Sequence, residues 1–361
     1  MVGQTLNDCF LYFDYNKIKF ISANEFNGTI CDVFSTFIAY DGIKGSFFRN
    51  PEKLIDTIAE LIEKAEHGLG FHIHECSIIL PQCFFRTRHN VETLDFPEKK
   101  IVNRFDVDNV LEKSLVDVED CVVSECIPIV YKTAEDYIDN PLGQEADKLE
   151  AITSTVGVLY RIKEFFDDVA IKLGIKIKLY SAALLAADKL QRDLDTNNSP
   201  RIILYVYSEA IDVCYCEMNA IIAQKTIDWG ANHYVSALVD LLKIEPREAR
   251  ELLRHVNLNI SDSENYYINN MQKRTINAAY VNKALKDITF EIACDIKKAI
   301  KLLIGDNVLP TYAVGSPIIE IRGIKRIIDK VLESDIIVLE PELLNWNGTA
   351  DYAIVAYLEK K

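Results

Sequence analysis

Apolar and polar positions alternate from the start of the chain. Phe10 and Tyr12 precede Lys17 and Lys19, and KIKFISANEFNGTICDVFSTFIAY continues the pattern on both sides of Asn27-Gly28. A period of two predicts strands, and Asn-Gly predicts the turn between them, so this segment reads as a β-meander. At Pro51 the period changes. In PEKLIDTIAELIEKAEHG, Leu54, Ile55, Ile58, Leu61 and Ile62 recur at helical spacing, with Pro51 opening the helix and Gly68 closing it. CSIILPQCFFRTR then predicts a strand, DVDNVLEKSLVD an acid-capped helix, and CVVSECIPIVYKT further strands. The stretch AITSTVGVLYRIKEFFDDVAIKLGIKIKLYSAALLAADKLQ predicts strand, helix, strand and helix.

The polar run DTNNSP at 195–200 reads as a boundary, after which the scheme repeats. Strands are predicted at 202–207, 213–218 and 220–226, followed by leucine-rich helices in YVSALVDLLK and PREARELLRHV. A polar, Asn-rich stretch at 257–270 leads into a long helix, NAAYVNKALKDITFEIACDIKKAIKLLIG. TYAVG (strand), IRGIKRIIDKVLES (helix), DIIVLE (strand) and the closing DYAIVAYLEKK complete the chain. A meander, a helix and further βα units occurring twice predict a duplicated α/β chain. Its domains are expected at 1–200 and 201–345. One joint breaks the usual turn chemistry. Between the strands of RIILYVYSEAIDVCYCEMNAI stand Ser208, Glu209 and Ala210, where tight turns that need positive φ recruit Gly, Asn or Asp.

Composition narrows the function classes. The chain has 361 residues, 49% of them hydrophobic, enough for two cores, and a formal net charge of −15. An acidic chain without a basic block lacks the electrostatic footprint for nucleic acid, and an anionic membrane repels most of its surface. Its longest apolar runs, such as SAALLAA, are too short to span a bilayer, and the first twenty residues lack the parts of a secretory signal. A cytoplasmic protein is expected. Nine cysteines without a C-x-x-C pair make no disulfide scaffold, and Cys214 and Cys216 read as small core residues on one strand face. His72, His74 and Cys76 in HIHEC would share a strand face that suits a metal, yet no second half of a tetrahedral site is visible, and no metal is expected. The remaining histidines form no nucleophile–His–acid set.

Several collinear stretches resemble the bacterial cell-division protein FtsA, of the actin-like superfamily. ECIPIVYKTAEDYIDNPLGQEADKLEAITSTVG is similar to an FtsA run, with Asn140, Pro141 and Gly143 at the family's positions. IKEFFDDVAIKLGIKIKLYSAALLAADKL resembles the next helix, strand and helix, and TIDWGANHYVSALVDLLKIEPREARELL keeps Gly230, Pro246, Glu248 and Ala249. The resemblance implies an actin-like (ribonuclease H-like) fold of two duplicated α/β domains, with an FtsA-type subdomain inserted in the first at about 76–160. It also implies a helical insertion at about 233–300 in the second domain. The closing segment 346–361, with Tyr352, Val355 and Ala356 at helical spacing, is expected to return to the first domain.

Actin-like ATPases hold the phosphates on glycine-bearing turns whose backbone N–H groups approach the anion closely. Where the family reads DIGGGTTD, this chain reads YVYSEAID: Tyr205 replaces the metal-side Asp, Tyr207, Ser208 and Glu209 replace the glycines, and Asp212 remains. The family's first phosphate turn, DIGTTK, reads DYNKIK, keeping Asp14 and Lys19, with Asn16 and Lys17 in place of Gly and Thr. The adenosine turn reads AVGSPII, with Gly315 followed by Ser316. The nucleotide positions carried over are therefore Asp14, Lys19, Asp212, Gly230, Gly315 and Ser316. Their setting predicts a pseudo-ATPase without bound ATP or magnesium, because Glu209 places a carboxylate against the phosphates. By resemblance, the partners are the filament protein FtsZ or other division proteins, with self-association into protofilaments, and Glu291 stands at the family's acidic FtsZ-contact position. The basic contact position nearby is Ile288. No amphipathic membrane helix follows the last globular segment, so the membrane is expected to be reached through a partner, at the division site. The alternatives are a working ATPase or phosphotransferase of this fold, and an actin-like adaptor of a pilus or secretion platform.

Overall fold

The computed structural model describes residues 8–26, 29–115, 117–133, 136–194, 199–218, 220–261, 263–268, 274–315 and 321–339. The Asn27-Gly28 turn and the closing segment 346–361 lie outside them.

β1 (Asp8–Asp14), β2 (Lys17–Phe26) and β3 (Thr29–Ala39) form an antiparallel meander in which Asp14 pairs with Lys17 across the first turn. A short ribbon, β4 (Ile43–Lys44) and β5 (Phe47–Phe48), leads into α1 (Pro51–Leu69). Asn50 caps α1 by accepting from the Lys53 N–H, Pro51 occupies the first turn where no donor is required, and left-handed Gly70 ends the helix. Gly68, the expected stop, lies inside the helix, where a Cβ would meet the Phe34 ring.

β6 (Glu75–Leu80) runs parallel to β1. After it come β7 (Phe85–Ile101), α2 (Arg104–Ser114), β8 (Cys121–Thr133), β9 (Asp136–Ile138) and β10 (Glu145–Leu159), which make a separate sheet ordered β7-β10-β8-β9. Val107 and Val110 of α2 pack on Tyr131, Leu149 and Ala151 of that sheet. The inserted piece thus begins later than residue 76, because Cys76–Leu80 belong to β6. His72 and His74 precede β6, so strand alternation does not align them with Cys76, and among the described residues no group of side chains could hold a metal ion. α3 (Tyr160–Leu173), β11 (Lys176–Ala182) and α4 (Ala183–Leu194) follow, and the main sheet is ordered β11-β6-β1-β2-β3.

The second half repeats that plan. β12 (Arg201–Val206), β13 (Ile211–Glu217) and β14 (Ala220–Ile227) are followed by α5 (Ala231–Leu242) and α6 (Pro246–Leu253). The Asn-rich stretch supplies β15 (Asn265–Ile268), which pairs antiparallel with β16 (Arg274–Asn277) just beyond it, and Tyr266 and Ile276 are buried. Then come α7 (Ala278–Ile304), β17 (Thr311–Gly315), α8 (Ile324–Leu332) and β18 (Ile336–Val338). The sheet order is β14-β13-β12-β17-β18, which matches the first sheet strand for strand when read from the meander edge.

The described chain divides into two compact units. One runs to Pro200 and includes Cys216–Ile222; the other comprises Arg201–Tyr215 and the residues from Ala223 onward. In unit 1, Phe13 meets Phe166 edge-on with ring centroids 5.3 Å apart, while Ile18, Phe20, Leu54, Ile58 and Leu61 are buried. The Cys216–Ile222 tip joins this unit through Ala220, which clusters with Ile129 and Val130. In unit 2, Ile202, Leu204 and Val213 of the sheet pack against Leu238, Leu285, Ile292 and Ile328 of the helices. Cys214 and Cys216 are both buried, as small core residues. No helix among the described residues is long and apolar enough to cross a membrane.

Candidate functional site

In unit 2 the joint between β12 and β13 is a tight turn at 207–210. The Tyr207 N–H donates to the Ala210 carbonyl at 2.9 Å. None of Ser208, Glu209 and Ala210 has positive φ, which is why residues with a Cβ fit. The turn is then fastened from outside by α5. The Ala231 N–H donates to the Tyr207 carbonyl at 3.1 Å, and the Asn232 N–H to the Ser208 carbonyl at 2.8 Å. The third helical donor, the His233 N–H, goes to the Gly230 carbonyl at 3.1 Å, while the Gly230 N–H donates to His233 Nδ1 at 3.0 Å. A helix N-terminus ordinarily presents such N–H groups to an anion. Here they are spent on the protein's own carbonyls.

Side chains complete the lock. The Asn232 amide donates to the Glu209 carboxylate. Tyr205 and Tyr207 are fully buried, with ring centroids 4.5 Å apart. Asp212 is buried on β13 and accepts from the Thr226 hydroxyl of β14. Tyr234, one turn into α5, is buried with its hydroxyl 3.1 Å from Thr289 Oγ1. Burial pushes its pKa up to about 12, and the Thr289 hydrogen bond offsets only part of that rise.

The two glycines beside this turn are required by contact. A Cβ on Gly230 would lie 2.5 Å from the Ser208 carbonyl carbon and the Glu209 nitrogen, so α5 could not approach the turn. Gly315 pairs with Val206, has φ +116°, and a Cβ there would lie 2.3 Å from the Val206 oxygen. Both sit against the turn's own strand or backbone. Ser316 lies outside the described residues.

In unit 1 the corresponding turn joins β1 to β2. Asp14, 6% exposed, accepts from the Tyr15 N–H at 2.7 Å and lies 4.0 Å from Lys17 Nζ. The Tyr40 N–H donates to the Asn16 carbonyl at 3.0 Å, and the Tyr15 hydroxyl lies 3.5 Å from Cys83 Sγ. Lys19 stands on β2 opposite Tyr12. Glu291 is exposed on α7, while Ile288 is half-buried against the core of unit 2.

In sequence, no family profile and no curated protein matches the chain. Solved structures do match. The PilM–PilN type IV pilus biogenesis complex superposes with a TM-score of 0.62 at 12% identity, covering 98% of both chains. The ethanolamine utilization protein EutJ from Carboxydothermus hydrogenoformans superposes at 0.54 and 13% identity, over 97% of this chain and 89% of its own. MreB5 of Spiroplasma citri bound to ADP gives 0.53 at 8% identity, over 99% and 96%. The chain has the actin-like fold.

Within that actin-like frame, the residues carried over from sequence fall in three places: Asp14 and Lys19 in unit 1, Asp212, Gly230 and Gly315 around the turn of unit 2, and Glu291 away on α7. Asn232 and Tyr40, which fasten the two turns, and Thr226, which holds Asp212, stand outside any sequence motif. Of these, Asn232 alone has a local signal, as a short polar residue in the first turn of a helix behind a glycine.

Proposed function

We propose that this chain is an actin-like adaptor that holds partner proteins of a membrane-linked assembly and does not turn over ATP. The observation that carries the reading is the closed second turn: it has no glycine, and the first N–H groups of α5 are bound to its carbonyls. Phosphoryl transfer depends on positioned metal ligands and preorganised donors around the γ-phosphate. Tyr205 supplies no carboxylate to a metal shell, and Glu209 adds negative charge where an incoming phosphate would need donors.

The pilus or secretion platform is the first setting, supported by the likeness to a PilM chain that was solved with PilN over nearly the full length of both chains. The second setting is an FtsA-type division scaffold that binds FtsZ or other division proteins and assembles with itself. The collinear run from Asn140 through Ala249 favours it. Localisation of a tagged chain separates the two: polar or pilus-associated foci support the first, and a band at the division plane supports the second.

Thermal shift with Mg-ATP tests the shared premise. A ligand at 100-fold over its dissociation constant adds about 2.7 kcal/mol to stability, which raises the melting temperature by roughly 5–10 °C for a domain of this size. The expected result is no shift. A rise abolished by Asp14→Ala or Asp212→Ala would overturn the reading and favour a working ATPase.

A further inference from the structure

On unit 2, with no residue of the 207–210 turn in its lining, α7 and α8 leave a groove of about 1070 Å³ between them, closed at one side by residues 258–260. It runs along α7 from Lys286 to Lys297, a length of about 16 Å, or three helical turns. Its apolar lining is Phe290, Cys294, Ile327 and Val331, with Leu258 and Ile260 at the side. Phe290 is 56% exposed, although the opposite face of α7 is packed into the core through Leu285, Ile292 and Ile296. An exposed aromatic ring inside a concave apolar surface marks a binding site more often than it marks ordinary protein surface.

Charge says what fits there. Lys286, Lys297, Arg326 and Lys330 line the groove against only Asp287 and Glu333, on a chain whose net charge is −15. Lys297 Nζ is bound to Glu333 Oε1 at 2.8 Å, a strap from α7 to the end of α8. Lys286, Arg326 and Lys330 form no ion pair with any described residue. With Lys297 and Glu333 paired, Lys286, Arg326 and Lys330 outweigh Asp287, so the net charge at the rim is positive and the floor between the rims is apolar.

We propose that the α7–α8 groove docks an acidic amphipathic helix of a partner protein. Two helices with an open seam offer ridges and grooves to a third helix, whose apolar anchors at i, i+4 and i+7 would meet Phe290, Ile327 and Val331. Its flanking Asp and Glu residues would meet Arg326 and Lys330. An extended strand finds no unpaired sheet edge here, a flat bilayer does not reach a recessed floor, and nucleic acid gains nothing from an apolar one. Glu291 does not line the groove. Neither turn takes part, so the proposal stands or falls separately from the loss of ATP turnover.

The test is fluorescence polarisation of the full chain with a fluorescein-labelled fourteen-residue peptide, Leu at i, i+4, i+7 and i+11 and Glu or Asp elsewhere. A control peptide carries Lys and Arg at the acidic positions. The acidic peptide is expected to bind saturably and more weakly as salt rises from 50 to 300 mM, and the basic one not to bind. Arg326→Glu combined with Lys330→Glu, and separately Phe290→Ala, should each weaken binding at least tenfold. All three residues are exposed, so the melting temperature should remain unchanged. Absence of binding, or equal binding by the variants, would overturn the proposal. So would sedimentation showing that the same variants abolish self-association, which would make a second copy of this chain the occupant, or co-sedimentation with phosphatidylglycerol vesicles lost in the variants.

Discussion

The turns at Tyr15–Asn16 and Ser208–Glu209 occupy equivalent places in the two sheets, each joining the first strand of a meander to the second. Both are built without a left-handed residue. They differ in what fastens them. In unit 1 a buried carboxylate, Asp14, folds back on its own turn through the Tyr15 N–H, and Tyr40 holds the carbonyl of Asn16. In unit 2 the fastening is a whole helix, with α5 seated on two turn carbonyls and two buried tyrosine rings beneath. The first turn is held by polar groups, and the second by packing and by a helix end. The same strand-to-strand joint can therefore be fastened in two ways, since strand pairing depends on apolar patterning and not on what the turn presents to solvent.

The largest expected effect comes from removing the packing beneath the second turn. Tyr207→Gly puts a glycine in the turn but deletes a fully buried ring that packs on Tyr205. By analogy with large aromatic deletions it should cost about 3–5 kcal/mol, lowering the urea midpoint of the transition that carries unit 2. It should gain no affinity for Mg-ATP, because the α5 donors stay on the turn carbonyls. Tight nucleotide binding by this variant would break the comparison, since one residue would then separate the two turns.

Next in size are the two surviving glycines. Gly230→Ala drives a methyl group into the backbone of Ser208 and Glu209, and Gly315→Ala into the Val206 carbonyl at a φ that L residues avoid. Overpacking of this kind costs about 1–3 kcal/mol, and Gly315→Ala should be the costlier because backbone strain adds to the overlap. Chemical denaturation of both variants ranks them. If Gly230→Ala is neutral, the docking of α5 is not what fixes the second turn.

Most of the architecture was legible in the chain. The meanders, the helix after each and the repeat of the plan follow from periodicity, because a core demands it wherever it is buried. The actin-like fold expected from the sequence is the fold found. What could not be read were the fastenings. That the Asn232 N–H would reach the Ser208 carbonyl depends on where α5 begins in space, and nothing in the order of residues states that distance. The β15–β16 hairpin was hidden for a different reason. Its strands have four residues each in a run rich in Asn, and Tyr266 is held by Asn257 and Asn282 from outside the hairpin. Gly68 misled because a glycine near a helix end signals a stop, whereas here it makes room for Phe34.

A smaller effect is expected at Asp14. Asp14→Ala leaves the buried Tyr15 N–H without its acceptor and should cost about 1–3 kcal/mol. Asp14→Asn keeps an acceptor for the Tyr15 N–H and loses the attraction of a half-exposed Lys17 at 4.0 Å, worth about 0–1 kcal/mol. Thermal melts of the pair should separate them in that order. Equal losses would mean that the charge, and not the hydrogen bond, fastens the first turn.

The smallest effect near neutral pH, and the one that compares both fastenings in a single experiment, is alkaline. Each turn has a buried tyrosine beside its anchor: Tyr40, whose own N–H holds Asn16, and Tyr234 on α5. Burial pushes Tyr40 up to about 12, with the Asp41 charge adding to the rise, and burial likewise carries Tyr234 to about 12. In the unfolded chain both titrate near their ordinary value of about 10. The folded pKa exceeds the unfolded one, so the stabilisation is fully present below pH 10 and falls as pH climbs from 10 towards 12, where the unfolded state releases a proton that the folded state retains. Tyr40→Phe and Tyr234→Phe remove the titrating group, and each should flatten part of that decline while leaving the melting temperature at pH 7 nearly unchanged. Urea midpoints measured at pH 7, 10 and 11.5 supply the comparison. If Tyr234→Phe flattens the limb and Tyr40→Phe does not, the helix-held turn is the more deeply packed of the two; if neither variant changes the slope, burial of these hydroxyls contributes nothing to how either turn is held.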